Sequence, residues 1–353
     1  MIINSHNDWD SLEEIIVGRA DFAHIPPVDS SMKNFMYANL TKDEIKKHVG
    51  PYNQDLIEEA NEDLDILSEV LEDCGVIVHR PERTQHHQRI QTPKWRTTGW
   101  HNYCPRDIFL VLGNTIVEVP SVMRSRMFET WSYNKILQRA FDDGAEWFSA
   151  PKQIIEDNNF DFSDLSKPTL MNNEILFDAP NVIRIDNDLI FQISNSGNEK
   201  GAEWLKRMFP DHTIHIERDA YSGAHFDSTI IPLRKGLVLL NGLRCNQNNY
   251  PKFFKDWEKI FFSDIVSTDS KDSGISSDSI GLNLLSVNND LVIVDENQKQ
   301  LINTLQQYKI ESNPLSKRHA RTLGGGFHCV TLDLKRKRNE KHFLNFHIFL
   351  QTK

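Results

Sequence analysis

The chain has 353 residues, of which 39% are hydrophobic and 25% charged, a composition that suits a large globular protein with a substantial core. Its formal net charge of -10 argues against a general nucleic-acid-binding protein, because such proteins neutralise phosphates with Lys and Arg. No apolar run approaches the ~20 residues of a membrane-spanning helix, and segment 1–8 does not resemble a signal peptide. The four cysteines lack metal-ligand spacing, so we expect reduced thiols in a cytoplasmic protein that holds no metal.

The predicted elements alternate between strands and helices along the chain. Their turns carry Gly, Asn or Asp, and the helices repeat apolar residues with helical spacing. In chain order they are a strand at 12–18, a helix at 56–71, a hairpin at 107–119, a hairpin at 182–193, a helix at 199–208, a hairpin at 229–240, a helix at 251–260, a hairpin at 283–294, a helix at 296–307 and a strand at 327–334. The first and last strands can pair and join the two ends. Periodicity by itself predicts a mixed α/β fold, with no linker that divides residues 1–353.

Three consecutive glycines stand shortly before Cys329, in segment 323–329. Glycine lets the backbone turn sharply and lets another group approach closely. Residues 330–334 then alternate apolar and polar, as a half-buried strand does, so the thiol is predicted at the mouth of a strand. The alternative is a buried structural thiol, since an isolated cysteine often behaves as a small hydrophobe. Strand alternation directs His328 away from Cys329, and we give it no catalytic role.

Two other segments carry side chains suited to activating a thiol. His225 and Asp227 precede the apolar run 230–233, and residues two apart on a strand point to the same face. Asp178 lies in a turn-like break before the predicted strand at 182–185. A Cys, a His and an Asp on loops beside strands match the pattern of an activated nucleophile. Taken singly, each of these residues is more readily explained by a structural role.

Together with the stretches at 12–20, 104–108 and 124–129, these segments resemble the L-arginine amidinotransferase family. That family includes arginine:glycine amidinotransferase, inosamine-phosphate amidinotransferase and relatives from cyanobacterial toxin pathways. The resemblance runs nearly end to end and keeps the motifs in order. It implies an α/β fold of the pentein type, a five-bladed, pseudo-fivefold α/β propeller of ββαβ-like modules with one active site on its axis. Residues 335–353 depart from the family pattern and form a C-terminal tail. Whether this tail is structurally ordered stays open.

The resemblance also implies a chemistry. Asp107 and Asp227 would bind the guanidinium of L-arginine, whose planar donors match carboxylates. Cys329 would attack the guanidinium carbon, and His225, oriented by Asp178, would protonate the leaving ornithine. An amine acceptor would then take the amidino group from Cys329. This ping-pong route through a covalent intermediate requires no metal or organic cofactor.

Further residues match positions around the substrates. Arg244 matches the family arginine for the donor's α-carboxylate, with a surface ion pair as the alternative. Ser276 and Ser277 match a family serine pair, although the polar loop 263–279 leaves the register open. Ser222 and Ala224 stand where glycine-using relatives carry larger residues. Their smaller side chains favour an acceptor larger than glycine, in a toxin-type pathway of guanidino compounds.

Three functions compete at this point. The first is an amidinotransferase, with a glycine enzyme that forms guanidinoacetate as the variant for a small acceptor. The second is a hydrolase of the arginine-deiminase type, and the third is a non-catalytic binding protein. Segment 23–28 resembles the lid region of the transferases and favours the first, while the complete reactive set argues against the third. The expected partners are small-molecule substrates, and a homodimer stays open.

Overall fold

The structure of the protein is a computed structural model that describes residues 1–35, 49–267 and 276–338. Most of the C-terminal tail and the centre of the polar loop at 263–279 therefore lie outside the described residues. The strands of the described chain are β1 (Ser11–Val17), β2 (His24–Ile25), β3 (Gly50–Pro51), β4 (Ile77–His79), β5 (Arg89–Gln91), β6 (Arg96–Thr98), β7 (Phe109–Leu112), β8 (Thr115–Glu118), β9 (Glu146–Ser149), β10 (Val182–Ile185), β11 (Asp188–Gln192), β12 (Thr213–Glu217), β13 (Ile230–Arg234), β14 (Leu237–Asn241), β15 (Glu258–Phe262), β16 (Leu285–Asn288), β17 (Leu291–Asp295), β18 (Glu311–Leu315) and β19 (Thr331–Lys337).

The helical segments of the described residues are of two kinds. The α-helices are α1 (Ser30–Phe35), α2 (Gln54–Asp73), α3 (Asn134–Asp142), α4 (Glu199–Met208), α5 (Lys299–Gln307) and α6 (Ala320–Leu323). The short 3-10 helices are Pro105–Asp107, Arg124–Arg126, Glu129–Tyr133, Asp157–Asn159, Ala179–Asn181, Lys252–Asp256 and Asp278–Leu282. Within the described ranges, no helix is both long enough and apolar enough to span a membrane.

Five three-stranded sheets share one design, in which an antiparallel pair is followed by a parallel strand. Their strand orders are β19-β1-β4, β7-β8-β9, β10-β11-β12, β13-β14-β15 and β16-β17-β18. A parallel neighbour cannot be reached by a tight turn, so each third strand needs a crossover. Helices α2, α3, α4 and α5 supply it in four sheets, and the 3-10 helix Lys252–Asp256 does so in the fifth. Each unit is thus of the ββαβ type, and the α/β class predicted from the sequence is confirmed.

Most of the predicted elements lie where the sequence placed them. The four hairpins form as β7-β8, β10-β11, β13-β14 and β16-β17. Helix α2 buries the apolar stripe that predicted it, including Leu64, Leu67 and Leu71. The side chain of Asn53 caps its first turn by accepting a hydrogen bond from the backbone N–H of Asp55.

The helix predicted at 251–260 is wrong. The chain instead forms the 3-10 helix Lys252–Asp256 and then β15, which pairs in parallel with β14 from Glu258 to Phe262. The misleading periodicity comes from aromatic residues that pack together, since the ring of Trp257 contacts those of Phe253 and Phe254. Pairing with a sheet edge requires an extended chain, and it overrides a weak local helical preference.

The two ends of the described chain meet in one sheet, because β1 and β19 pair antiparallel and set Val17 opposite Thr331. Strand β19 begins later than predicted and is not half-buried, since residues 331–334 are all buried. Its polar residue Asp333 is fully buried and is compensated by arginines, among them Arg336 at 2.9 Å. The expectation that Cys329 lies at the mouth of a strand is confirmed, because it comes two residues before β19.

Candidate active site

The glycines before Cys329 serve two distinct physical purposes. Gly324 ends α6 with φ 79°, a left-handed conformation that favours glycine. A Cβ on Gly325 would lie 2.5 Å from the sulfur of Cys104, so only glycine fits there. The chain then turns, and the backbone N–H of Cys329 donates a 2.9 Å hydrogen bond to Oδ1 of Asn283. The nucleophile candidate is therefore held by backbone geometry before any substrate binds.

The thiol of Cys329 is buried and donates to Oδ2 of Asp227 at 3.3 Å. The same oxygen accepts a 2.8 Å hydrogen bond from Nδ1 of His328. Burial, followed by the charges of Asp227 and Asp107, raises the pKa of Cys329 well above its ordinary value. Without a bound cation the group is therefore a thiol. The strand argument that directed His328 away is wrong, because β19 begins only at Thr331 and residue 328 lies in a turn.

His225 is held between two carboxylates. Its Nε2 donates a 3.0 Å hydrogen bond to Oδ2 of Asp178, and its Nδ1 lies 3.7 Å from Oδ1 of Asp107. Asp178 is completely buried, and its Oδ1 accepts the backbone N–H of Val122 at 3.2 Å. Burial alone lowers the pKa of His225, but Asp107, Asp178 and Asp227 together raise it above the ordinary histidine value. The site thus favours an imidazolium that can give up a proton.

The route by which His225 and Asp227 meet differs from the prediction. Neither lies on a strand, because β13 begins only at Ile230. His225 has φ 54°, in the left-handed region that side-chain-bearing residues rarely adopt. Its backbone N–H donates a 2.9 Å hydrogen bond to Oγ of Ser196, which helps to hold this conformation. Such a backbone costs on the order of 1–3 kcal/mol and persists only where the surroundings impose it.

Asp107 has one oxygen anchored and one without a partner. Its Oδ2 accepts a 2.6 Å hydrogen bond from Nη1 of Arg126. Nε and Nη2 of the same arginine donate to the carboxylate of Glu129 at 2.7 and 3.0 Å. The guanidinium of Arg126 lies 5.2 Å from the ring of Trp100. Oδ1 of Asp107 is buried and, among the described residues, has no hydrogen-bond partner. An unsatisfied carboxylate oxygen is costly, and the N–H of a bound cation would remove that cost.

Among the described residues, Arg244 does not form the surface ion pair that was its alternative role. Its Nη2 donates to Oγ of Ser277 at 2.7 Å, and its Nη1 donates to Oγ1 of Thr229 at 2.6 Å. The guanidinium lies 3.8 Å from the ring centre of Tyr221. Burial lowers the pKa of Arg244. These partners are uncharged, so the cation is suited to binding an anion such as a carboxylate.

The two predicted serines have different hydrogen-bond partners. Ser277 bonds Arg244, whereas the hydroxyl of Ser276 lies 3.5 Å from the carbonyl oxygen of Ala320 in α6. Ser222 is exposed and Ala224 half-buried, just before His225 in the chain. Ser222 accepts, through its carbonyl, a 3.1 Å hydrogen bond from the backbone of Asn195.

A buried ionic network lies behind Asp227, and the sequence analysis did not find it. Asp8 pairs with Arg184 and lies 3.8 Å from Nη1 of Arg106, whose Nη2 is 2.6 Å from Asp333. Arg106 therefore pairs with Asp333, whereas its chain neighbour Asp107 pairs with Arg126. Charged residues inside otherwise apolar strands, such as Arg184 in β10, were the available sign of this network.

No group of His, Cys, Asp and Glu within the described ranges is arranged to hold a metal ion. What the site brings together is a thiol, an imidazole and carboxylates, all largely shielded from solvent. Cys329, His225, Asp178, Asp107 and Asp227 come from four different sheet units, and Arg244 and Ser277 lie at one side of them. This arrangement can bind a planar cation, attack its carbon and protonate a leaving group.

Curated relatives of the chain are amidinotransferases. Inosamine-phosphate amidinotransferase 1 from Streptomyces glaucescens is 41% identical over 342 residues, which are 95% of this chain and 97% of that protein. L-arginine:L-lysine amidinotransferase from Pseudomonas savastanoi pv. phaseolicola is 33% identical over 96% of both chains. Mitochondrial glycine amidinotransferase from Xenopus laevis is 33% identical over 94% of this chain and 82% of its own length. No family model matches the chain.

Solved structures agree with these relatives. Inosamine-phosphate amidinotransferase from Streptomyces griseus has a TM-score of 0.92 at 41% identity, over 96% of this chain and 97% of its own. An amidinotransferase of the saxitoxin biosynthetic pathway from Microseira wollei has a TM-score of 0.88 at 32% identity, over 96% and 98%. A dimethylarginine dimethylaminohydrolase from Pseudomonas aeruginosa, with a TM-score of 0.60 at 14% identity, shares the fold alone. As the resemblance in sequence predicted, the chain belongs to the L-arginine amidinotransferase family.

Proposed function

We propose that this amidinotransferase moves the amidino group of L-arginine to an amine through a covalent intermediate on Cys329. The observation that carries the proposal is Oδ1 of Asp107, which is buried without a hydrogen bond among the described residues and lies 3.7 Å from Nδ1 of His225. Its charge acts on Cys329 together with that of Asp227. A guanidinium is planar and cationic, and its N–H groups match carboxylate oxygens. It would occupy the place between the two carboxylates and neutralise part of their charge.

The donor has a second charged end, and Arg244 is placed to bind it. The arginine cation contacts only hydroxyls and an aromatic ring in the described structure, with Ser277 at 2.7 Å. A carboxylate from the substrate would pair with that cation in a largely desolvated position, where charge-assisted hydrogen bonds are strong. Ser277 would share this contact, while the bonding of Ser276 to Ala320 gives it a supporting place in the loop.

The first half-reaction follows from the charges. Binding of the guanidinium between Asp107 and Asp227 offsets the two carboxylates that raise the pKa of Cys329, so the thiol loses its proton to solvent as the donor binds. The thiolate attacks the guanidinium carbon, and a C–S bond forms. The bond from that carbon to the δ-nitrogen of the ornithine portion breaks, and this nitrogen takes the proton of the His225 imidazolium. Ornithine leaves, and the amidino group stays on sulfur.

The second half-reaction runs the same steps in reverse with another amine. His225, now neutral, removes a proton from the acceptor nitrogen, which attacks the amidino carbon. The C–S bond breaks, the new guanidino compound leaves and the thiolate and imidazolium are restored. Asp178 keeps Nε2 of His225 fixed throughout, so that Nδ1 is the atom that exchanges the proton with the substrates.

An acceptor larger than glycine is the second part of the proposal. Ser222 and Ala224 put little side-chain volume beside His225, and cavity shape selects substrates by excluded volume. The relatives named for inosamine phosphate and for the saxitoxin pathway support an acceptor of this kind, in the biosynthesis of a guanidino secondary metabolite. The alternative is a glycine acceptor and a guanidinoacetate product, as the name of the frog relative indicates for that protein.

The repeated sheets support a five-bladed pentein propeller, with the site where the units converge.

A hydrolase on this fold would admit water to the same intermediate, so the decisive experiment follows the products of L-arginine. We expect ornithine in catalytic amounts only when a primary amine is added, together with the corresponding guanidino compound. Citrulline formed without an amine would identify a hydrolase, and the absence of both products would contradict the proposal.

A further inference from the structure

Asp227 shares one oxygen between two neighbouring residues. Its Oδ2 accepts from Nδ1 of His328 at 2.8 Å and from the sulfur of Cys329 at 3.3 Å. When the thiol ionises during attack, this oxygen loses one of its donors and faces a new negative charge. His328 remains a direct donor to this oxygen, while the charge of His225 and the side chain of Asn283 also favour the ionised carboxylate.

His328 is itself enclosed by charged groups from three parts of the chain. Its Nε2 lies 3.7 Å from Oδ1 of Asp8, in the N-terminal segment, while Nδ1 faces Asp227 from the loop before β13. Arg106, in the 3-10 helix before β7, is the nearby cation and lies 3.8 Å from Asp8. A neutral imidazole has one N–H, whereas an imidazolium has two and can donate toward both carboxylates.

We infer that His328 is a positioning residue: as an imidazolium held between Asp227 and Asp8, it keeps Asp227 ionised and fixed for the guanidinium of the donor. The inference rests on the proposed function, because it concerns the donor contact of Asp227. His328 is not a second general base, since Nδ1 is already bonded to Asp227 and the thiol donates to that carboxylate.

The charges agree with this assignment. Burial and the cation of Arg106 each lower the pKa of His328, but the hydrogen bond that it donates to Asp227 and the nearby carboxylate of Asp8 raise it above the ordinary value. Burial alone raises the pKa of Asp227, yet the hydrogen bond and charge of His328 outweigh it and bring the pKa to about 2. Removing the positive charge at position 328 should therefore raise the pKa of Asp227 and weaken its interaction with the guanidinium at every pH at which His328 would be charged.

The test measures binding rather than turnover. L-arginine is titrated calorimetrically from pH 6 to pH 10 into Cys329→Ser and into the double variant Cys329→Ser/His328→Asn. The asparagine can still donate a hydrogen bond to Asp227 but carries no charge. We expect binding in the double variant about tenfold weaker at pH 6, which corresponds to one pKa unit of lost interaction, and a difference between the two proteins that narrows toward pH 10 as His328 itself loses its proton in the single variant. His215→Asn, at a half-exposed histidine that pairs with Asp188, should change nothing.

Each outcome has one meaning. Equal affinities in the single and double variants would overturn the role of His328 alone, and so would a loss of the same size at every pH value, because that pattern belongs to a merely structural residue. Failure of Cys329→Ser itself to bind L-arginine would overturn the proposed donor. Thermal unfolding checks that the variants fold, and His328→Gln replaces His328→Asn if the latter does not.

Discussion

The ring of His225 donates a 3.0 Å hydrogen bond to Asp178, although 47 positions separate the two residues. Asp178 precedes β10 and His225 precedes β13, so neighbouring sheet units bring them together. Asp178 is completely buried and His225 is partly exposed, and the bond leaves Nδ1 of His225 facing Asp107. This geometry fixes which nitrogen is available to a substrate, and it is the basis of several of the predictions that follow.

Cys329→Ser should abolish turnover, because a hydroxyl has a much higher pKa than a thiol and does not ionise at neutral pH. Intact-mass analysis of the wild type with L-arginine alone should detect one amidino group, located on Cys329 by peptide mapping. Cys74→Ser is the control, since that cysteine is exposed and free. A fully active Cys329→Ser protein would contradict the mechanism.

Asp107→Asn and Asp227→Asn should each weaken binding of the donor strongly. Each replacement leaves a desolvated guanidinium without one of its carboxylates, at a cost of about 3 kcal/mol, or roughly a hundredfold in affinity. Donor affinity is measured by titration in the Cys329→Ser background. Asp188→Asn is a matched control, because Asp188 pairs with His215 on β12 away from the site. Unchanged affinity in both site variants would show that their roles are misassigned.

Asp178→Asn should lower the rate more than the donor affinity, by roughly a hundredfold or more in ornithine release. The raised pKa of His225 keeps the imidazolium present up to a higher pH, and release falls as the pH rises through that pKa. Losing Asp178 lowers this pKa, so the alkaline limb of the pH–rate profile should move to lower pH by about one unit. Single-turnover release of ornithine from pH 6 to pH 10 measures it. An unmoved limb would separate Asp178 from the titration of His225.

Arg244→Gln should impair L-arginine but not agmatine, which has the same guanidinium and lacks the α-carboxylate. The variant removes the cation that we expect to bind that carboxylate, so its ratio of kcat/KM values should fall at least tenfold, or by about 1.4 kcal/mol. Arg207→Gln, at an exposed arginine paired with Glu203, is the control. Equal losses for both donors would mean that Arg244 only maintains the pocket.

The acceptor is tested by competition between glycine and a panel of larger primary amines, scored by the mass of the guanidino product. We expect the larger amines to win, because Ser222 and Ala224 leave room beside His225. Ala224→Met should then reduce use of a large acceptor while sparing ornithine release in the first half-reaction. A wide margin in favour of glycine would show that the enzyme makes guanidinoacetate.

Much of the fold could be predicted from the sequence because its causes are local. Alternating strands and turn residues located the four hairpins, and the apolar stripe located α2. The segment at 251–260 failed because packed aromatic rings imitate a helical face, while pairing with β14 requires an extended chain. Local pattern carries no information about such pairing.

The sequence by itself determined the residue types of the site and their order, including the glycines that admit Cys104 beside the bend before Cys329. Tertiary structure alone decided their partners. Asp107 bonds Arg126 rather than Arg106, and His328 contacts Asp227 in a turn where strand alternation no longer applies. Both pairings depend on contacts between segments that are distant in the chain, and the strength of each electrostatic interaction depends on how deeply its groups are buried. Neither the pairing nor the burial can be read from neighbours along the chain.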